Sequence, residues 1–160
     1  MAMLGDPGKL TADGVRQAMA EGYRGIPKIM APSYRMLCAR LAEGRGATVV
    51  NCSAGKDRTG IATALVLTAL GVPYAAVRED YLLSNRAGRP HLGGNSGGYA
   101  ALAALPPEVQ AAMGGVDGSY LDAAFDQLRK DYGSVEGYLQ TELGVGPRQI
   151  AVLRRNLLTR

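Results

Sequence analysis

Residues 48–60 constrain this 160-residue chain more than any other stretch. Thr48, Val49 and Val50 form a short β-branched run; small and polar residues follow, and residues 61–70 are nearly all apolar. The first piece reads as a buried strand over residues 47–51 and the last as a buried helix. Strand, tight loop and helix N-terminus together aim backbone N–H groups at an anion, with the positive end of the helix dipole behind them. Cys52 opens that loop and Arg58 closes it. A thiol among N–H groups, a helix N-terminus and a guanidinium is held toward thiolate. The loop reads as an anion cradle with a nucleophile on its floor.

The rest of the chain reads as helices around this unit. Thr11 caps a helix running to about Tyr23, and Pro27 and Pro32 bracket a connection. Ser33 starts a second helix with Tyr34, Leu37, Cys38 and Leu41 on its apolar face. Gly71 and Pro73 separate the central helix from one running toward Asn85. Residues 86–98, with Arg86, Arg89 and His91, are glycine-rich and without period, as a lid or linker would be. Pro106 and Pro107 open a short helix. Three more follow, the first with Ser119 and Asp122 as a capping box, the second capped by Ser134 and the third opened by Pro147. No repeat or domain boundary interrupts residues 1–160, so a single domain is expected.

At 47% hydrophobic and 20% charged residues, the chain has the balance of a globular domain able to close one core. No stretch reaches the ~20 apolar residues of a spanning helix, and the N-terminus lacks a signal-peptide pattern. A cytoplasmic location without stable membrane insertion is therefore expected. The net charge of +4 suits an anionic substrate. Nucleic acid is not expected as a partner, because the chain has no long Lys/Arg block and is 6% aromatic. Two cysteines and one histidine are too few for a zinc site of paired C-x-x-C type, and no metal or other cofactor is expected. Cys38 reads as a small buried hydrophobe and not as a disulfide partner of Cys52.

Cys52 and Arg58, with five residues between them, match the C-x5-R signature of the protein tyrosine phosphatase superfamily. The longer run Cys-x-x-Gly-Lys-Asp-Arg-Thr-Gly resembles its bacterial branch of atypical tyrosine and dual-specificity phosphatases, some of which also accept phosphoinositides. Asp80-Tyr81-Leu82-Leu83-Ser84-Asn85, and the ending around Tyr132-Gly133-Ser134 and Tyr138-Leu139, resemble that branch too. The likeness implies an α/β, helix-rich fold with a cysteine-phosphatase-like core, its phosphate loop set between a central strand and a buried helix. It further implies hydrolysis of phosphate monoesters in a phosphorylated protein or a small ester, through a phosphocysteine.

In that chemistry Cys52 is the nucleophile. Ser53, Ala54, Gly55, Lys56, Asp57 and Arg58 bind the phosphate through backbone N–H groups, and the Arg58 fork matches its oxygens. The Thr59 hydroxyl would stabilise the departing thiolate. The proton donor of most of the superfamily is an Asp on a separate loop, and no upstream acid here sits in such a loop. The Gly-Lys-Asp-Arg branch places an Asp inside the cradle, where Asp57 stands. Asp57 either gives the leaving oxygen its proton or only orders the loop. Lys56 either neutralises substrate charge or is solvated. Asp80 and Asn85 are supporting positions that order the cradle or a water, or else face solvent. Asn51 stands where the family usually has His, so a less depressed Cys52 thiol is expected than in His-bearing relatives.

Two features pull against a simple assignment. Residues 47–51 are the one convincing strand, and the thirty-odd residues ahead of Tyr34 read as helix, so the parallel sheet is expected to be reduced. A homodimer that buries Val15, Met19 and Tyr23 is the expected repair. A module that binds phospho-ligands with weak catalysis is the alternative function. A nucleotide-binding P-loop fails because Val50 and Asp57 stand where it needs Gly and Ser/Thr. A sulfur transferase with its cysteine in an anion loop is disfavoured by Arg58-Thr59-Gly60.

Overall fold

A computed structural model describes residues 10–86 and 105–158. Seven α-helices are found among them: α1 (Ala12–Glu43), α2 (Asp57–Leu70), α3 (Tyr74–Leu82), α4 (Pro107–Gly114), α5 (Gly118–Tyr132), α6 (Val135–Thr141) and α7 (Pro147–Leu157). A 3-10 turn, Leu83–Asn85, follows α3. Arg89, His91 and the rest of the glycine-rich stretch after Arg86 lie outside the described residues.

The expected pair of N-terminal helices is one helix of 32 residues, with Pro27 and Pro32 inside it. An interior proline costs about 3 kcal/mol through its missing N–H and its clash with the preceding turn. What offsets this is a continuous stripe: Val15, Tyr23, Pro27, Ala31, Tyr34 and Cys38 are all buried, and Met19 packs against the core between the first two. Their spacing keeps helical phase straight through both prolines. Full burial of one such large side chain contributes about 1.5–3 kcal/mol, so the stripe outweighs the breaks. Tyr138 also donates its hydroxyl to the Pro27 carbonyl at 2.7 Å. Thr11 caps α1 as expected, accepting from the Gly14 N–H at 3.1 Å.

The parallel sheet is not found: the described residues contain no strand. Residues 47–51 form an irregular connector, and Val49 is 87% exposed. β-branched residues favour a strand only where a neighbour pairs its N–H and C=O groups. The chain just ahead is committed to α1, whose backbone bonds to itself. The fold class is therefore corrected from α/β to all-helical over these residues, and the cradle lies between a connector and α2. Val15 and Tyr23, expected at a subunit exchange, are covered within one chain.

α1 acts as a spine. It packs most extensively on α5 and also on α4, α7 and α2. α2 is central as expected, touching α1, α3, α6 and α7, with Ile61, Ala64 and Leu65 at most 1% exposed. Ser134 caps α6 through the Gly137 N–H at 2.8 Å. The expected capping box at Ser119 is displaced: Asp117 caps α5, accepting from the Ser119 N–H at 2.9 Å. Asp122 accepts instead from the Tyr74 hydroxyl at 2.6 Å and pairs with Arg78. α7 fastens two helix ends, since Arg154 donates to the Leu70 carbonyl and Asn156 to those of Leu41 and Ala42. No helix among the described residues is long and apolar enough to cross a membrane.

Candidate active site

The cradle begins at Cys52 and runs into the first turn of α2. Gly55 takes φ +69°, the left-handed region that a side chain would strain, and so lets the loop turn back on itself. Lys56 precedes α2 without any side-chain cap, which leaves the first N–H groups of the helix free for another acceptor. Thr59 donates one of them to the Cys52 sulfur, as Ala54 and Gly55 do from the loop. The Thr59 hydroxyl is buried with no hydrogen-bond partner of ordinary geometry among the described residues, and the Cys52 thiol is the group it acts on.

These bonds set the chemistry of Cys52. Partial burial pushes its thiol up, but the hydroxyl and N–H of Thr59 with the N–H groups of Ala54 and Gly55 bring it down to about 7. About half of the molecules then carry a thiolate at neutral pH. Cys38 is the contrast: burial in the core of α1 lifts its thiol to about 11, and both cysteines are free. Alkylation by iodoacetamide is accordingly expected at Cys52 with a midpoint near pH 7, while Cys38 stays unmodified. Thr59→Val should raise that midpoint by about one pH unit, the scale of one hydrogen bond to a charged group. An unmoved midpoint would show that the hydroxyl does not hold the sulfur. Asn51 is exposed and is not among the groups that lower the thiol most.

Arg58 closes the loop on itself. Its guanidinium donates to Ser53 Oγ at 2.7 Å, and Tyr34 of α1 donates its hydroxyl to the Arg58 carbonyl at 2.8 Å. Lys56 turns inward: its ammonium meets Asp57 Oδ1 at 2.9 Å, the Gly115 carbonyl at 2.9 Å and the Met113 carbonyl at 3.4 Å. It thereby holds the C-terminal end of α4 against the cradle. Asn85 grips the same loop, its amide donating to the Val116 carbonyl and accepting from the Val116 N–H, both at 2.9 Å. Asp80 is exposed on α3 and takes no part in the cradle. Residues 53–59 thus surround Cys52 as one loop, Asn85 shares a cavity with Ala54, Gly55 and Lys56, and Asp80 stands apart.

The Asp57 carboxylate also accepts from the hydroxyl of Tyr23. Tyr23 in turn accepts from the Tyr81 hydroxyl at 2.9 Å. Sequence reasoning placed Tyr23 and Tyr34 on the apolar faces of two separate helices, with Tyr23 buried at a subunit exchange, and assigned neither to the cradle. The signal that places both at the cradle is the helical phase of the stripe, visible once α1 is continuous. The loop at residues 113–116 carried no comparable signal.

A sequence model described as the tyrosine phosphatase family matches residues 2–159. The chain belongs to the tyrosine phosphatase family. Three similar proteins carry names that agree with this. A protein of Cupriavidus necator with the provisional name of tyrosine-protein phosphatase is 37% identical over 69% of this chain and 40% of its own length. A tyrosine-protein phosphatase of Nostoc commune is 32% identical over 79% and 44%. The triple specificity protein phosphatase PtpB of Mycobacterium tuberculosis is 31% identical over 96% and 59%. The chain spans about half the length of the curated relatives it matches. In this chain the N–H groups of Ala54, Gly55 and Thr59 are directed at the Cys52 sulfur.

Proposed function

We propose that this chain hydrolyses phosphate monoesters, above all protein phosphotyrosine, through a phosphocysteine on Cys52. The observation that carries the reading is the sulfur itself: three N–H groups and one hydroxyl converge on it and hold its thiol near 7. Donors that stabilise a thiolate also stabilise the oxygens of a phosphoryl group brought to it. The Cys52 thiolate attacks phosphorus in line; the S–P bond forms and the P–O bond to the leaving group breaks. The leaving oxygen keeps that electron pair and takes a proton from Asp57. Water then attacks phosphorus and gives its proton to Asp57, the S–P bond breaks, and the Thr59 hydroxyl receives the thiolate. Arg58 binds two equatorial oxygens throughout, a task its planar fork performs and a point charge does not.

Family membership and the relatives' names support this activity, and the name of the mycobacterial relative favours a range of phosphoesters beyond phosphotyrosine. The deciding experiment is turnover of p-nitrophenyl phosphate followed by acid quench and mass analysis. Release of nitrophenol with an added phosphate mass on the Cys52 peptide is expected. Phosphate binding without nitrophenol release would instead make the chain a phospho-ligand-binding module.

A further inference from the structure

We propose that Tyr23, on the N-terminal helix α1, is the positioning residue of the proton donor: with Lys56 it occupies Oδ1 of Asp57 and so assigns the transferable proton to Oδ2. The inference rests on the proposed role of Asp57 as general acid. It adds which oxygen acts and what holds it there.

A protonated carboxyl has one oxygen that only accepts and one that donates. Asp57 Oδ1 receives the Tyr23 hydroxyl and, at 2.9 Å, the Lys56 ammonium. An oxygen facing two donors is the accepting one, which assigns the O–H to Oδ2. The Tyr23 hydroxyl has a single proton and spends it on Oδ1, so it accepts from Tyr81 at 2.9 Å. Donation therefore runs one way, from Tyr81 to Tyr23 to Asp57, and each bond polarises the next.

The relay is rigid. Tyr23 is 2% exposed and Tyr81 3%. Burial raises both phenols far above their ordinary range and Asp57 adds to the rise in each, while their mutual contact raises Tyr23 and lowers Tyr81. Both thus remain donors wherever the protein is folded. The Tyr23 ring packs against Tyr120 with centroids 5.3 Å apart. Gly60 fixes the other end: a Cβ there would meet the Tyr81 ring at 2.8 Å, so a side chain would push Tyr81 away from Tyr23. Asp57 is not sealed in, since 25% of its side chain is accessible. With Arg58 it walls a groove that also touches Met19, Ile26 and Met30 of α1. The carboxyl is therefore open to a leaving group beside the residue that holds the phosphate.

The test compares kcat/KM on phenyl phosphate, whose leaving group needs a proton, with that on p-nitrophenyl phosphate, whose leaving group hardly does. Taking the ratio of the two on one preparation cancels any unfolded fraction. Tyr23→Phe keeps the ring and deletes the hydroxyl; it is expected to lower the phenyl phosphate value about tenfold and the nitrophenyl value less than about twofold. Tyr81→Phe should move the ratio the same way by less. In an Asp57→Asn background, Tyr23→Phe should leave the ratio unchanged, because the group it positions is gone. Equal losses on both esters for Tyr23→Phe, or an undiminished effect in the Asp57→Asn background, would overturn the positioning role alone. Equal losses on both esters for Asp57→Asn itself would overturn the general-acid reading and the positioning role with it.

Discussion

Cys52→Ser is expected to reduce aryl phosphate turnover to background, a loss on the order of 10⁴-fold or more. Inorganic phosphate or vanadate should still bind with an affinity within a few-fold of the original. The two outcomes separate because they depend on different atoms. Turnover needs an ionised nucleophile, and the cradle holds the thiol of Cys52 near 7; a serine hydroxyl in the same place stays protonated. Binding needs the N–H groups of Ala54, Gly55 and Thr59 and the Arg58 guanidinium, none of which the substitution removes. Isothermal titration with vanadate, run beside the activity assay, reads both. Steady-state turnover persisting in a Cys52→Ser preparation free of the original protein would end the phosphocysteine mechanism.

Arg58→Lys should lower kcat/KM about 10²–10³-fold, the scale on which one preorganised donor acts on transition-state charge. Lysine keeps the charge but loses the fork that meets two oxygens at once, and with it the 2.7 Å bond to Ser53 Oγ. The cradle backbone should survive, because Tyr34 holds the carbonyl of residue 58 whatever its side chain. Arg58 is also not among the groups that lower the Cys52 thiol most. The alkylation midpoint of Arg58→Lys is therefore expected to stay near pH 7 while turnover collapses. A midpoint that moves upward with the loss of turnover would mean that Arg58 builds the loop and does not act on the substrate.

The two effects reach the site from different ranges along the chain. Cys52, Gly55, Arg58 and Thr59 act on one another within eight residues, and the loop geometry follows from glycine freedom and an uncapped helix start. Such a unit was legible in the sequence because its forces are local. The helix of residues 61–70, the Ser134 cap and the role of Gly55 were legible for the same reason. Lys56 and Asn85 were visible as site candidates, but not what they hold, since their partners at residues 113–116 lie about 30 to 60 positions away.

What only the tertiary structure decided involves distance along the chain. Pro27 and Pro32 signal a break by every local rule, yet burial of Tyr23, Ala31 and Tyr34 against the core keeps α1 whole. Thr48, Val49 and Val50 signal a strand, yet a strand exists only with a partner backbone, and the described residues supply none. The bond from Tyr23 to Asp57 spans 34 positions and depends on α1 remaining unbroken past Pro27. Local propensities are worth tenths of a kcal/mol to about 1 kcal/mol per residue, and a buried aromatic stripe outweighs them. The sequence by itself determined a cysteine at the head of a tight loop that runs into a helix; packing of α1 determined which groups stand behind Asp57.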